Sequence, residues 1–227
     1  MKKIELKHSR QRIRISWQNF SVVIITILAI LLGCSHTEKV LVPPKFELKV
    51  YNKIGVIEFS TNAENDVRQY VTQNFIQNVQ SAQPGTRILE LGSQEQVLGA
   101  LRRNELDFKA IKRIGEKYRV DAVIFGHLQV SEIKPKVKIL TAPKAVHAKA
   151  YIEASLSTRL LETDSGATLW TNATTGKTSV ANVNVIKKGL FNIGISDPKE
   201  KYGKLVPELV YLNTMDFRAR YEYRKVK

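Results

Sequence analysis

The sequence predicts an α/β or α+β fold: a mixed sheet with helices packed on it, including a long antiparallel hairpin. Three observations predict it. Short apolar runs alternate along the chain with amphipathic stretches of helical period. Residues 149–161 alternate apolar and polar side chains strictly, as a strand with one wet face does. The turn sequence Asp164-Ser165-Gly166 follows, with another strand-like piece at 168–172 positioned to pair back.

Residues 53–59 (KIGVIEF) read as a buried strand. Thr61 and Glu64 have capping-box spacing, and Val67, Val71, Phe75 and Val79 then recur every four residues, a helix with one apolar face. Residues 87–91 read as a second strand. Ser93 and Gln96 form another capping box, which opens a short helix through Arg102. Leu106, Ala110, Ile111, Ile114 and Tyr118 line a third helix. In the strand expected at 120–130, Ala122, Ile124, Gly126, Leu128 and Val130 share one face, and Val123, Phe125 and His127 the other. In 149–161, Ala150, Ile152, Ala154, Leu156, Thr158 and Leu160 point one way; Lys149, Glu153, Ser157 and Arg159 point the other. Leu205, Val206, Leu209, Leu212 and Met215 predict a last helix within 202–217. The expected order is β-α-β-α-α-β-β-β-α.

The N-terminus carries a different signal. Residues 2–14 are basic, and 20–32 form a 13-residue run whose polar members are Ser21 and Thr26. Leu31-Leu32-Gly33-Cys34 closes the run. A basic region, an apolar region and a small residue at the cut make a secretory signal. The run is short for a spanning helix, which needs about 20 apolar residues. Leu-Leu-Gly-Cys resembles the lipobox of bacterial lipoproteins. That resemblance implies cleavage before Cys34 and fatty acyl groups such as palmitate on it. Ser35, where an Asp would favour the inner membrane, implies an outer-membrane anchor facing the periplasm. Residues 1–33 are therefore expected to be a lipoprotein signal peptide, and 34–45 the lipidated cysteine with a tether that Pro43-Pro44 keeps extended. Residues 46–227 are expected to form one domain.

That domain resembles a known family. The strand KIGVIEF, residues 114–128 (IGEKYRVDAVIFGHL) and residues 156–170 (LSTRLLETDSGATLW) are similar to the periplasmic domain of the curli-secretion lipoprotein family (CsgG-like). The penicillin-binding-protein activator lipoprotein (LpoB-like) shares that domain. The ordered pattern covers about 120 residues. Residues 131–148 and the tail DFRARYEYRKVK depart from it. The resemblance implies a domain that binds proteins or assembles into rings, without a catalytic centre.

Composition and motifs agree with a protein that is not an enzyme. The net charge is +15, of which +5 lies in the first 34 residues and +10 in the body. A basic body suits an anionic partner such as lipid headgroups or an acidic polymer, or it is simply a solvated surface. Export excludes nucleic acid as an expected partner. The single cysteine, Cys34, allows no internal disulfide. His8, His36, His127 and His147 lack ligand spacing, and Gly115 and Gly126 are too isolated for a phosphate loop. No catalytic, cofactor-binding or metal residues are expected; Cys34 is the one site residue. His127 reads as a satisfied strand residue, Asp164 as a turn former and Trp170 as hairpin packing.

Two segments leave alternatives open. Residues 180–195 alternate like a hairpin with one apolar face, and residues 131–148 form a basic linker. Membrane insertion of both would make the chain a subunit of an oligomeric outer-membrane secretion pore. Otherwise it is a non-enzymatic envelope assembly or secretion accessory factor, anchored through Cys34, that binds an envelope protein and possesses the option of forming a homo-oligomer.

Overall fold

Residues 54–57 are apolar on both faces, and the fold uses both. In the computed structural model, which describes residues 37–63, 65–131, 134–137, 148–180, 183–186, 190–193 and 202–225, they form the fully buried strand β2 (Ile54–Ile57). Strand β1 (Thr37–Val42) precedes it. β2 lies between β4 (Ile88–Gly92) and β5 (Ala122–Val130), parallel to both. β3 (Ser60–Thr61) continues β2's line along β5. β5 then pairs antiparallel with β7 (Ala148–Glu162), and β7 with β8 (Thr168–Val180). The short β6 (Lys134–Val137) extends β5's line along β7. The result is a mixed α+β sheet with the lateral order β4-β2-β5-β7-β8.

The pleat divides the core in two. Ile54, Val56, Ile124, Leu128, Ile152, Leu156 and Leu160 face α1 (Asn65–Ala82) and α4 (Leu205–Asn213). Val67, Val71, Phe75 and Val79 of α1 are all fully buried there, as their spacing predicts. Ile57 and Val123 face the other way, onto Val97 and Leu101 of α2 (Gln94–Leu101) and Ile111 and Ile114 of α3 (Phe108–Tyr118). That second cover reaches β7 only at its end, where Leu161 packs against it. The same face of β7 and β8 carries the exposed Glu153, Ser157, Arg159, Thr171 and Thr175, which is the expected wet face.

The helix starts follow their caps. Ser93 Oγ accepts the Gln96 N–H, and Gln96 Oε1 accepts the Ser93 N–H, the reciprocal box read from the sequence. Asp107 Oδ1 accepts from Ala110 N at 2.8 Å and starts α3. Thr61 departs from expectation: it lies in β3, its hydroxyl accepts from Ala63 N, and α1 begins at Asn65. Glu64 lies outside the described residues.

One strand is longer than expected, and three further segments contain strands. β8 runs to Val180 rather than ending at Asn172, in register with β7 throughout its length except for one shift at Leu160/Leu161. Its inward side chains are Asn172, Thr174, Gly176 and Thr178, so no apolar period announced it. Asn172 and Thr174 instead donate to the carbonyls of Asn213 and Leu209 in α4, and a Cβ on Gly176 would stand 3.0 Å from Leu205. The supposed tether contains β1, which pairs with β11 (Arg220–Lys225). Residues 37–42 and 221–225 of this ribbon belong to one compact unit, and 43–220 to a second. The supposed linker 131–148 contains β6. Residues 180–195 contain the antiparallel pair β9 (Val183–Ile186) and β10 (Leu190–Ile193), four residues each.

Candidate functional site

α4 buries a stripe centred on Leu209 and Asn213, flanked by Leu205, Val206 and Val210. Tyr211 lies opposite that stripe and Leu212 at its margin. Their exposures are 51% and 37%. After Asn213 the chain tightens into a 3₁₀ turn, Met215–Phe217. The tighter turn changes the angular step per residue. It buries Phe217 and leaves Met215 48% exposed. Leu212 and Met215 do not join the buried face as expected: at about 100° per residue Leu212 falls at the margin of the stripe and Met215 well outside it.

These three side chains line a groove of about 390 Å³ together with Pro43, Lys45, Asn172, Asp216 and the segment 218–220. Its floor is pinned. Asp216 pairs with Lys45 at 3.2 Å and accepts from Trp170 Nε1 at 3.3 Å, and its carbonyl accepts from Phe46 N. Trp170 packs on Phe217 with ring centroids 4.6 Å apart, so it serves the packing role expected of it. Arg218 donates to the Tyr211 carbonyl and Thr214 Oγ1 at the end of α4, and to Asn78 Oδ1 of α1 at 2.6 Å. Its guanidinium lies 4.5 Å from the Tyr211 ring centroid. Burial lowers the Arg218 pKa from its ordinary value, which the Tyr211 charge opposes. The groove is thus a rigid apolar and aromatic surface with a cationic margin.

Other expected residues have structural partners. His127 Nδ1 meets Ser60 Oγ at 2.8 Å and Nε2 meets Gln129 Oε1 at 3.0 Å, so both ring nitrogens are satisfied. Asp164 sits in the β7–β8 turn, where Gly166 has φ +67. Asp121, the acid of the resemblance pattern, accepts from Asn52 N at 2.6 Å and Lys53 N at 3.2 Å and holds the entry to β2. It lines a cleft of about 540 Å³ with Tyr51 and Glu162. Burial, and secondarily the Glu162 charge, raise the Tyr51 pKa above its ordinary value. Among the described residues, no group of three or more His, Cys, Asp or Glu side chains could hold a metal. Cys34 and the signal lie outside the described residues. Tyr211 was not singled out from the sequence; its position off the buried phase of α4 is the signal that could have found it.

No family model matches the chain, and no curated protein matches it. Among solved structures, the PelC dodecamer from Paraburkholderia phytofirmans is similar at 12% identity and TM-score 0.44, covering 82% of this chain and 99% of that one. Lipoprotein GNA1162 from Neisseria meningitidis is similar at 18% identity and TM-score 0.39, covering 58% and 86%. The LpoB C-terminal domain from Salmonella enterica is similar at 10% identity and TM-score 0.32, covering 66% and 91%. With every TM-score below 0.5, these likenesses carry no functional inference.

Proposed function

We propose that the chain is a membrane-anchored lipoprotein that acts as a non-enzymatic cell-envelope assembly or secretion accessory factor through protein binding. Cys34 carries the lipid, and the body faces the periplasm from the outer membrane. The observation that carries the protein-binding reading is the groove at the end of α4. Tyr211, Leu212 and Met215 stand exposed together on a scaffold pinned by Arg218 and Asp216. Aromatic, methionine and arginine side chains are the types enriched where proteins meet. A fixed floor lowers the ordering cost of binding there. The Leu-Leu-Gly-Cys sequence closing a 13-residue apolar run supports the anchor.

The test is complementation of a gene deletion in the native host, with a photo-crosslinking residue placed at Leu212. The expected result is one dominant membrane-fraction adduct, lost with Tyr211→Ala plus Met215→Glu, together with loss of complementation. Cys34→Ser is expected to abolish acyl labelling and to release the body or leave an uncleaved precursor. Full complementation by the groove variant overturns the protein-binding reading. Unchanged acyl labelling in Cys34→Ser overturns the anchor.

A further inference from the structure

The β1–β11 ribbon has two unlike faces. Alternation along β1 puts Thr37, Lys39 and Leu41 on one side and Glu38, Val40 and Val42 on the other. Along β11 it separates Tyr221, Tyr223 and Lys225 from Arg220, Glu222 and Arg224. Lys39 Nζ lies 4.2 Å from the Tyr221 ring centroid, which joins the first set of each strand into one face. All six residues of that face are exposed, with Leu41 at 56%, Tyr221 at 61% and Tyr223 at 73%. It holds two lysines and no acid. Both acids of the ribbon, Glu38 and Glu222, lie on the opposite face, where Glu222 pairs with Arg224 at 3.9 Å.

We propose that the Lys39–Leu41–Tyr221–Tyr223–Lys225 face of the ribbon docks on an anionic lipid bilayer. The proposal rests on the lipid anchor at Cys34. Thr37 follows Cys34 by three residues, so an extended chain separates their Cα atoms by at most about 11 Å. A lipid on Cys34 therefore holds the start of β1 at the headgroup layer. The face has the chemistry of that layer. Tyrosine rings sit at headgroup depth with the hydroxyl toward water. A leucine enters the acyl boundary, and lysines pair with anionic phosphates. The ribbon is then a second membrane contact, which restricts the orientations open to a chain held by acyl groups alone.

The test uses the full chain, expressed with its signal and reconstituted into vesicles of phosphatidylcholine and phosphatidylglycerol. Cys34 is the one native cysteine, and its acylated thiol does not react with a maleimide. Single probes are placed through Leu41→Cys on the docking face and Glu38→Cys on the other. Nitroxide lipids are expected to quench the Leu41 probe several-fold more than the Glu38 probe. The difference is expected to shrink with Tyr221→Ser plus Tyr223→Ser, with Lys39→Glu plus Lys225→Glu, and in vesicles lacking phosphatidylglycerol; circular dichroism checks that each variant folds. Equal quenching of the two probes on an acylated chain overturns the proposal alone. So does a Leu41 probe shielded from both lipid and aqueous quenchers, which marks a protein contact. The mass of the Cys34 peptide reports the anchor separately, and a peptide without acyl groups overturns the anchor reading.

Discussion

At Gly115 a Cβ would stand 2.5 Å from the Thr163 Cβ, and Thr163 cannot retreat. Its hydroxyl donates to the carbonyls of Val120 at 2.8 Å and Asp121 at 3.0 Å. Gly115 therefore sets how closely α3 approaches the end of β7. Gly115→Ala is expected to cost about 1–3 kcal/mol of stability, read as a lower urea midpoint at unchanged slope. Asp107 carries a pH-dependent contribution. The Ala110 N–H holds its carboxyl below the ordinary value against the opposing effect of desolvation, and the Arg103 charge and hydrogen bond add to the lowering. A depressed folded pKa contributes stability that is complete above the unfolded value, near 3.9, and is lost as pH falls through the folded value. Asp107→Asn keeps a capping oxygen and loses the titration. The fall in urea midpoint between about pH 6 and about pH 3 is expected to be smaller in that variant.

Within one element, α4 separates stability from recognition. Leu209 is 1% exposed and packs over Gly176, whereas Leu212 three residues on lies at the groove. Leu209→Ala is expected to cost about 2–5 kcal/mol, the range for a buried leucine. Leu212→Ala is expected to stay within about 1 kcal/mol in stability while weakening the crosslink formed when the photo-reactive residue is placed at Met215 instead. Calorimetry and the crosslinking yield read the two effects independently. The helix start at Ser93 is a further case: Ser93→Ala removes the oxygen that receives the Gln96 N–H and is expected to lower stability by about 1 kcal/mol.

For the whole molecule, the sheet joins a parallel half, β4-β2-β5, covered on both faces, to an antiparallel half, β7-β8, covered on one except at the end of β7, where Leu161 meets the second cover. That division follows from the connections. Parallel neighbours require crossover helices, which supply the covers, whereas the hairpin needs only the turn at 163–165. The acylated chain in detergent is expected to scatter light as a monomer or dimer and to leave liposomes electrically tight. A large ring with ion conductance would instead establish the secretion-pore alternative.

Amphipathic spacing determined α1, α3, β5 and β7, because each meets an apolar layer through several successive turns or residues and so shows the period of its backbone. Capping chemistry determined the start of α2, since Ser93 and Gln96 act only on neighbouring amides. The Leu-Leu-Gly-Cys sequence ending at Cys34 is likewise a local signal, and the lipobox read from it is a proposal. The tertiary structure alone decided the length of β8, whose inner face meets α4 through Asn172, Thr174 and Gly176 and so leaves no hydrophobic pattern. It also decided the pairing of β1 with β11, strands far apart in the chain whose shared face appears only when they lie side by side. The groove belongs to the same class. Tyr211, Leu212 and Met215 read as helix residues, and which of them stand exposed depends on which stripe of α4 the sheet and α1 bury.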